Sequence, residues 1–172
     1  MQVHKKVEVK KTKKGDSLFS KCNINQGEII LEFEKNFQDT PSRYTLQIDE
    51  TRYQVSNDKD AYENFINHSC DANGYIDFND LTFRAARDIK AGEELTFNYN
   101  TTEWDMENGE DEAFTCRCGV SGCLKRIRGF RYLTAEQKKS FESLLSPHLS
   151  HKYNQDNMIS EKGHFLKKRS KA

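Results

Sequence analysis

Three cysteines, Cys116, Cys118 and Cys123, stand in the stretch FTCRCGVSGC with the spacing C-x-C-x4-C. Thiols two residues apart lie on one face of an extended chain. A turn with Gly119 and Gly122 can fold the third around the same point. Three thiolates leave a tetrahedral zinc one ligand short. The chain holds five cysteines, and an odd count in a reducing compartment argues for metal or catalysis over a disulfide framework. The fourth ligand has three candidate sources: Cys70, Cys22 and a His. A closed four-thiolate structural site completed by Cys70 is the simplest solution. It gives a purpose to a thiol in the polar run NHSCDANG at 67–74, where free Cys, a small hydrophobe, is otherwise out of place. Cys22, just before Asn23 and Ile24 at a strand edge, reads as a half-buried structural residue. His148 and His151 have ligand-like spacing, but in a polar tail with no third partner they read as solvated.

A second chemical pattern is ELTFNY at 94–99. Phe97 and Tyr99 alternate, so one strand face presents two aromatic rings. Such rings can wall a dry channel, and a phenol hydroxyl there can orient an amine for in-line attack. Alone, the pair is ordinary core alternation. Asn67 and His68, in a turn after a short helix, can hold a ligand or simply satisfy backbone groups.

The elements that must position these residues read mainly as short strands. Val3, Val7 and Val9 share a parity, and Leu18-Phe19 follows a turn at Gly15. Gly turns in NINQGEIILEF and DIKAGEELTFNY each precede a strand, a repeated I-x-x-G-E pattern. Tyr44, Leu46 and Ile48 alternate and Tyr53 and Val55 follow a break, so 43–55 reads as a hairpin. A strand at 81–86 is expected to join 95–99 through the Gly92 turn. A short helix is expected within 58–66. A better one spans 134–145, with Thr134 and Gln137 as a capping box and Pro147 as its stop. The last twenty or so residues lack a core pattern. Two prolines and no long Gly/Ser linker indicate one domain of mainly β class.

Composition narrows the function. At 172 residues, 35% apolar and 31% charged, the chain can build one core. It has no run near the ~18–20 apolar residues of a membrane helix. The start, MQVHKKVEVKK, lacks an apolar leader core, so the cytoplasm is the expectation; KKRSK at 167–171 leaves the nucleus open. Net charge is zero, yet residues 1–14 carry six Lys against one Glu and 124–172 carry twelve basic against four acidic residues. The middle holds nine basic and twenty-two acidic residues, a body that attracts a cationic substrate. The acidic run ENGEDEAF at 107–114 is placed to assist. No Gly-rich dinucleotide turn is present, which argues against a doubly wound nucleotide-binding fold.

In order along the chain, FINHSCDAN, AGEELTFNY and C-x-C-G-x3-C resemble a SET-domain protein lysine methyltransferase with its post-SET zinc motif. The likeness covers about residues 3–132 and is closest in style to small, nearly domain-only SET proteins such as those of bacteria. It implies a β-clip fold of small sheets with a knot-like C-terminal segment and a short C-terminal helix. The organisation would be SET domain over 1–103, post-SET zinc segment over 104–132, and helix with a flexible basic tail over 133–172. The implied cofactors are S-adenosyl-L-methionine and a zinc ion on Cys70, Cys116, Cys118 and Cys123. The implied cofactor-binding set is Gly15, Ser17, Leu18, Asn64, Asn67, His68 and Phe130. Ser17 replaces the second glycine of the first cofactor turn, and Asn64 stands where many members have Arg, so an Arg contact is not available. After the last cysteine, Leu124, Ile127 or Phe130 is the residue to cover the adenine. Tyr99 matches the catalytic tyrosine. Phe97 matches the channel position that governs how many methyl groups are added, which implies di- or trimethylation. The implied partner is a lysine-bearing, basic protein or peptide such as a histone, with no membrane and no direct nucleic-acid contact. Two alternatives remain: an inactive SET module that binds a protein partner, and a zinc module for nucleic acid, to which an acidic body is a poor fit.

Overall fold

A computed structural model describes residues 5–13, 15–42, 44–107 and 113–155. The chain opens with an antiparallel pair, β1 (Val7–Thr12) and β2 (Gly15–Ser20), in register from Val7 opposite Ser20 to Thr12 opposite Gly15. Gly15 takes φ +112°, which closes this short turn. Three strands, β3 (Ile29–Glu32), β4 (Asn36–Gln38) and β5 (Leu46–Gln47), precede β6 (Tyr53–Val55). β6 lies between β4 and β5, antiparallel to both, so the hairpin expected over 43–55 forms around β5 and β6. Val3 lies outside the described residues.

A single 3-10 turn, Tyr62–Phe65, stands where a helix was expected within 58–66. It leads into β7 (Asn67–His68), followed by β8 (Gly74–Asp77), β9 (Thr82–Ala85) and β10 (Thr96–Phe97). β9 sits between β3 and β8, while β10 pairs in parallel with β7. The expected hairpin between 81–86 and 95–99 therefore does not form. The turn at Gly92 instead returns the chain to β2, where Leu95 N–H donates to the Leu18 carbonyl at 2.7 Å. The two I-x-x-G-E repeats meet each other. Ile24 and Ile89 exchange backbone bonds of 2.9 and 2.8 Å, and both side chains are buried.

The main core collects Leu18, Ile24, Leu31, Phe83, Ile89 and Leu95, none more than 1% exposed. Burial of each such side chain stabilises the fold by about 1.5–3 kcal/mol. A smaller core of Met106, Cys116 and Ile127 lies under β11 (Phe114–Thr115) and β12 (Arg126–Ile127). A 3-10 turn, Phe130–Tyr132, then leads to α1 (Ala135–Phe141). Thr134 and Gln137 form the expected reciprocal cap, with bonds of 3.3 and 2.9 Å.

Pro147 starts a helix where the sequence indicated only a stop. Residues 147–155 form α2, with Pro147 in the first turn, where a missing N–H is harmless. Ser146 caps it, its hydroxyl accepting from Leu149 N–H at 3.2 Å, and Ser146 N–H donates to the Thr101 carbonyl at 2.9 Å. Leu149 is fully buried and His148 is 5% exposed. The expectation that His148 is solvated is thus overturned by the docking of α2. Its Nε2 is buried without a hydrogen bond among the described residues, and burial holds its pKa below the usual imidazole value. His151 is exposed, beside Gln155. The tail beyond 155, KKRSK included, lies outside the described residues, as does most of the acidic run 107–114. Among the described residues no helix is long and apolar enough to cross a membrane.

The segment after the Tyr99 turn is zipped to the start of the C-terminal region. Phe130 N–H donates to the Glu103 carbonyl at 2.8 Å, and Met106 N–H to the Arg128 carbonyl at 2.9 Å. Between them Gly129 has φ +101° and ψ 166°, a region open essentially to glycine alone. A Cβ there would meet the Trp104 carbonyl oxygen at 2.6 Å. Gly129→Ala is therefore expected to lower stability by about 2 kcal/mol or more, read as a fall of several degrees in the thermal midpoint. An unchanged midpoint would show that this close approach does not exist.

Candidate active site and metal centre

The turn after β7 carries Cys70; Cys116 and Cys118 follow β11, and Cys123 precedes β12. Their four sulfurs lie within 4.8 Å of one another, with Cys70 and Cys116 at 3.9 Å. Four sulfurs on a tetrahedral zinc, at ~2.3 Å from the ion, sit ~3.8 Å apart. Gly119, with φ +82°, and Lys125, with φ 65°, let the chain wrap around the cluster. Leu124 N–H points at Cys70 Sγ and Lys125 N–H at Cys123 Sγ, each at 3.4 Å. Such donors favour thiolates.

Burial pushes the Cys70 thiol well up and Cys116 up to about 11. Cys118 is also opposed by burial, but hydrogen bonds from the Cys70 and Val120 backbone and its sulfur neighbours bring it down to about 6. Four such groups cannot ionise together unless a cation shares their charge, so the donor set fits a divalent, thiophilic metal. Cys22 is exposed and outside the group; the expectation that it is half-buried at a strand edge fails because it lies in an exposed bend just after β2 ends at Ser20. Elemental analysis should give about one zinc per chain. Cys70→Ser should release it and loosen residues 113–130, measured by hydrogen exchange. Full zinc retention in that variant, with loss in Cys22→Ser, would reverse the assignment.

Parallel pairing of β7 with β10 sets Thr96 opposite Asn67 and Phe97 opposite His68. Ser69 N–H closes the ladder on the Phe97 carbonyl at 3.1 Å. Tyr99 then begins a 3-10 turn, Tyr99–Thr101. Its N–H donates to His68 Nδ1 at 3.1 Å, so Nδ1 is the acceptor and the proton resides on Nε2, which faces Cys70 Sγ at 3.4 Å. Burial lowers the His68 pKa to about 4, in keeping with a neutral ring. The Tyr99 hydroxyl donates to the Ile66 carbonyl at 3.0 Å. Its ring lies 4.8 Å from Phe97, 5.3 Å from His68 and 6.0 Å from Phe114, between ring centres. The expected pair of Phe97 and Tyr99 is thus joined by His68 and by Phe114, a residue the sequence pattern did not single out. Phe114 sits two residues before Cys116, and that adjacency to the cluster was its one signal.

Asn67 is the polar hub beside this aromatic group. Its amide donates to Ser17 Oγ at 2.8 Å, the Asp16 carbonyl at 3.2 Å and Glu94 Oε1 at 3.3 Å. This brings Gly15, Ser17 and Leu18 against β7, as the motif order implied. Gly15 is exposed, with open space where a Cβ would be. Ser17 lies in β2 outside the positive-φ region. Ser17 and Leu18 are both fully buried, so of the expected Gly15, Ser17 and Leu18 only Gly15 has surface for a ligand. The Asn64 amide is turned to the Lys59 and Asp58 carbonyls, at 3.1 and 3.4 Å, bracing its own loop.

Phe130 is fully buried against Trp104, 6.2 Å away, and Tyr153, 5.3 Å away. It has no face open to an adenine here. Ile127 is equally buried, while Leu124 is half-buried. Two hubs were missed. Glu94 accepts from Asn67, and buried Asn73 donates to the Glu94 carbonyl at 2.8 Å and accepts from Thr96 N–H at 3.0 Å. The open Gly15 turn, the amide and carboxylate groups around Asn67, and the neighbouring aromatic rings fit a zwitterion with a cationic sulfur, since ring faces attract cations.

The SET domain family model matches residues 15–100, the stretch that holds Gly15, Asn67, His68, Cys70, Asn73, Glu94, Phe97 and Tyr99. The Variant-silencing SET domain-containing protein of Plasmodium falciparum is 32% identical over 146 residues, covering 70% of this chain and 6% of that protein. A Histone-lysine N-methyltransferase, H3 lysine-36 specific, of Coccidioides immitis is 34% identical over 146 residues, covering 72% and 14%. A crystal structure of KRYPTONITE in complex with mCHH DNA, an H3(1-15) peptide and SAH is similar at a TM-score of 0.57. It shares 25% identity and covers 70% of this chain and 29% of that one. The chain thus spans a small part of the length of these relatives. What the likeness covers is the small-sheet architecture and the paired strands around Tyr99, and on that ground the chain belongs to the SET-domain family.

Proposed function

We propose that this chain is an S-adenosylmethionine-dependent protein lysine N-methyltransferase acting on a basic protein, a histone or another, and that it proceeds to di- or trimethyl-lysine. The observation that carries the reading is the Tyr99 hydroxyl, held on the Ile66 carbonyl at 3.0 Å beside Phe97 and next to Asn67. Bound S-adenosylmethionine supplies an electrophilic methyl group on a sulfonium. Asn67, the Gly15 turn and Glu94 are the groups placed to hold its polar ends. The lysine amine has to arrive neutral. With a free pKa near ~10.4, losing that proton at pH 7 costs about 4–5 kcal/mol. The walls made by Phe97 and Tyr99 exclude water and so favour the neutral amine. The Tyr99 hydroxyl and the Ile66 carbonyl then form the polar point that orients its lone pair.

The H3 peptide and the SAH in the KRYPTONITE complex, and the name of the Coccidioides relative, support a peptide substrate and this cofactor. The DNA belongs to that complex, of which this chain matches a minor part; for this chain we propose peptide contact. Cytoplasm, with the nucleus open, is the proposed setting. The four cysteines hold a closed, structural zinc in this reading and take no part in transfer.

Methyl-label incorporation on basic peptide arrays tests the activity. Tyr99→Phe should keep cofactor affinity within about twofold, by calorimetry, while turnover falls by at least about a hundredfold. Cofactor binding with no transfer to any peptide by the wild type would favour an inactive, partner-binding SET module. Phe97 lacks a hydroxyl, which leaves room for an amine that already carries methyl groups. Phe97→Tyr adds one hydrogen bond, worth ~0.5–1.5 kcal/mol. The later transfers should slow roughly three- to tenfold while the first is spared, followed by time-resolved mass spectrometry. A wild type that stops at monomethyl-lysine contradicts the proposed product.

A further inference from the structure

Two side chains of α2 are buried, Leu149 at 0% and His148 at 5% exposed. Half of the seat of this helix can therefore ionise. His148 Nε2 is closed off from solvent and has no hydrogen-bond partner among the described residues. A buried polar nitrogen without a partner is uncommon. The neutral imidazole tolerates that place far better than the imidazolium, because an unpaired buried charge costs far more than an unpaired dipole.

The place of His148 within α2 opposes a positive charge as well. It is the second residue of the helix, in the first turn, where the peptide dipoles present their positive end. Lys152 stands four residues on and His151 three, so both share its helix face. After burial, the largest influence, both hold the imidazole toward its neutral form. Glu50 and Asp49, in the turn between β5 and β6, pull the other way. Neither forms a hydrogen bond to Nε2. Glu50 is exposed, so solvent screens it. Asp49 is engaged by Arg52 at 3.3 Å and by the Thr51 N–H at 3.0 Å.

We infer that α2 is a latch released by mild acid, with His148 as its trigger: the helix docks on a neutral imidazole and lifts away when the ring takes up a proton. Undocked, the ring titrates near its ordinary value of ~6.5; docked, it titrates lower. Docking is therefore at full strength above pH ~6.5 and weakens as the pH falls from there toward the docked value. Release withdraws the Lys152 ammonium from the Trp104 ring, 5.4 Å away, and Tyr153 from Phe130, 5.3 Å away. It also frees the carbonyl of Thr101, the last residue of the Tyr99 turn, from the Ser146 N–H. Fully buried Phe130 loses the cover that α2 gives it. This device does not depend on the chemistry at Tyr99.

Trp104 is the single tryptophan of the chain, and the Lys152 ammonium over its ring makes its emission a reporter of docking. Hydrogen exchange of the 148–155 amides gives a second readout in the full chain, as protection relative to the unstructured rate at the same pH. Both are followed from about pH 8 to about pH 5.5. In the wild type, protection of α2 should fall by up to about tenfold per pH unit below ~6.5, with a matching change in emission. His148→Gln keeps a polar side chain that cannot titrate and should flatten both curves. His148→Leu carries the same expectation if the glutamine variant leaves α2 undocked. His151→Gln, at the exposed neighbour, should keep the fall. His68 is present in every variant, so whatever it contributes cancels in the comparison. Constant protection of 148–155 in the wild type across this range overturns the inference. So does a fall that persists in both His148 variants, or one that disappears with His151→Gln. If neither His148 variant docks, the wild-type fall, kept in His151→Gln, is the deciding result.

Discussion

Four thiols gathered within 4.8 Å of one another repel as soon as they ionise, and the surrounding N–H donors ask them to ionise. A shared cation would reconcile those demands and tie the C-terminal third to β7. Cys70 comes from the end of β7 and the other three from a segment some 46 residues later, measured from Cys70 to Cys116. An ion shared by the four thiols would pin β7 to a hairpin that has little apolar core of its own. That hairpin buries chiefly Met106, Cys116 and Ile127, too little to hold its place by burial alone. Metal binding energy and folding energy are the same quantity in such a segment.

The constraint reaches the Tyr99 hydroxyl through one imidazole. His68 accepts the Tyr99 N–H on Nδ1 and turns Nε2 toward Cys70, which fixes both its tautomer and the direction of the Tyr99 turn. Phe114 closes the ring cluster from the cysteine-bearing side. Asn67 and Asn73 do for the β2 flank what the sulfurs do for the other. Their amides tie β2, β7 and the 94–96 segment with bonds that no apolar contact could orient. Buried Asn73 is satisfied at both ends of its amide, donating to the Glu94 carbonyl and accepting from Thr96 N–H. β10 and the Tyr99 turn are thus held by polar links on both flanks, and the apolar core behind them supplies stability.

α2 adds a third layer. Ser146 anchors it to Thr101, and fully buried Leu149 seats it in the body. Lys152 and Tyr153 then reach Trp104 and Phe130. The basic C-terminal region and the acidic body, oppositely charged in the sequence, meet at this place. Docking of the helix buries Phe130 and sets the Lys152 ammonium over the Trp104 ring.

Local chemistry was legible along the chain because it depends on near neighbours. The C-x-C-x4-C spacing, the Thr134–Gln137 cap, the Gly15 turn and the β5–β6 hairpin all formed as their residues indicated, each within a dozen positions of itself. Cys70 could be named as the fourth thiol from the order of motifs. Pairing across distance was not legible. A two-residue strand such as β10 carries no signal for its partner, so its parallel match to β7 in place of a hairpin with β9 was decided by the core around Leu18 and Leu95. Pro147 reads locally as a helix stop or a helix start with equal right. Only the burial of Leu149 against the body made it a start, and that burial took His148 with it. Phe130, one of three candidates to cover an adenine, became core for the same reason. Asn67, Asn73 and Glu94 are ordinary polar residues until three segments converge on them, and convergence is a property of tertiary structure, where hydrogen-bond geometry between distant residues is first set.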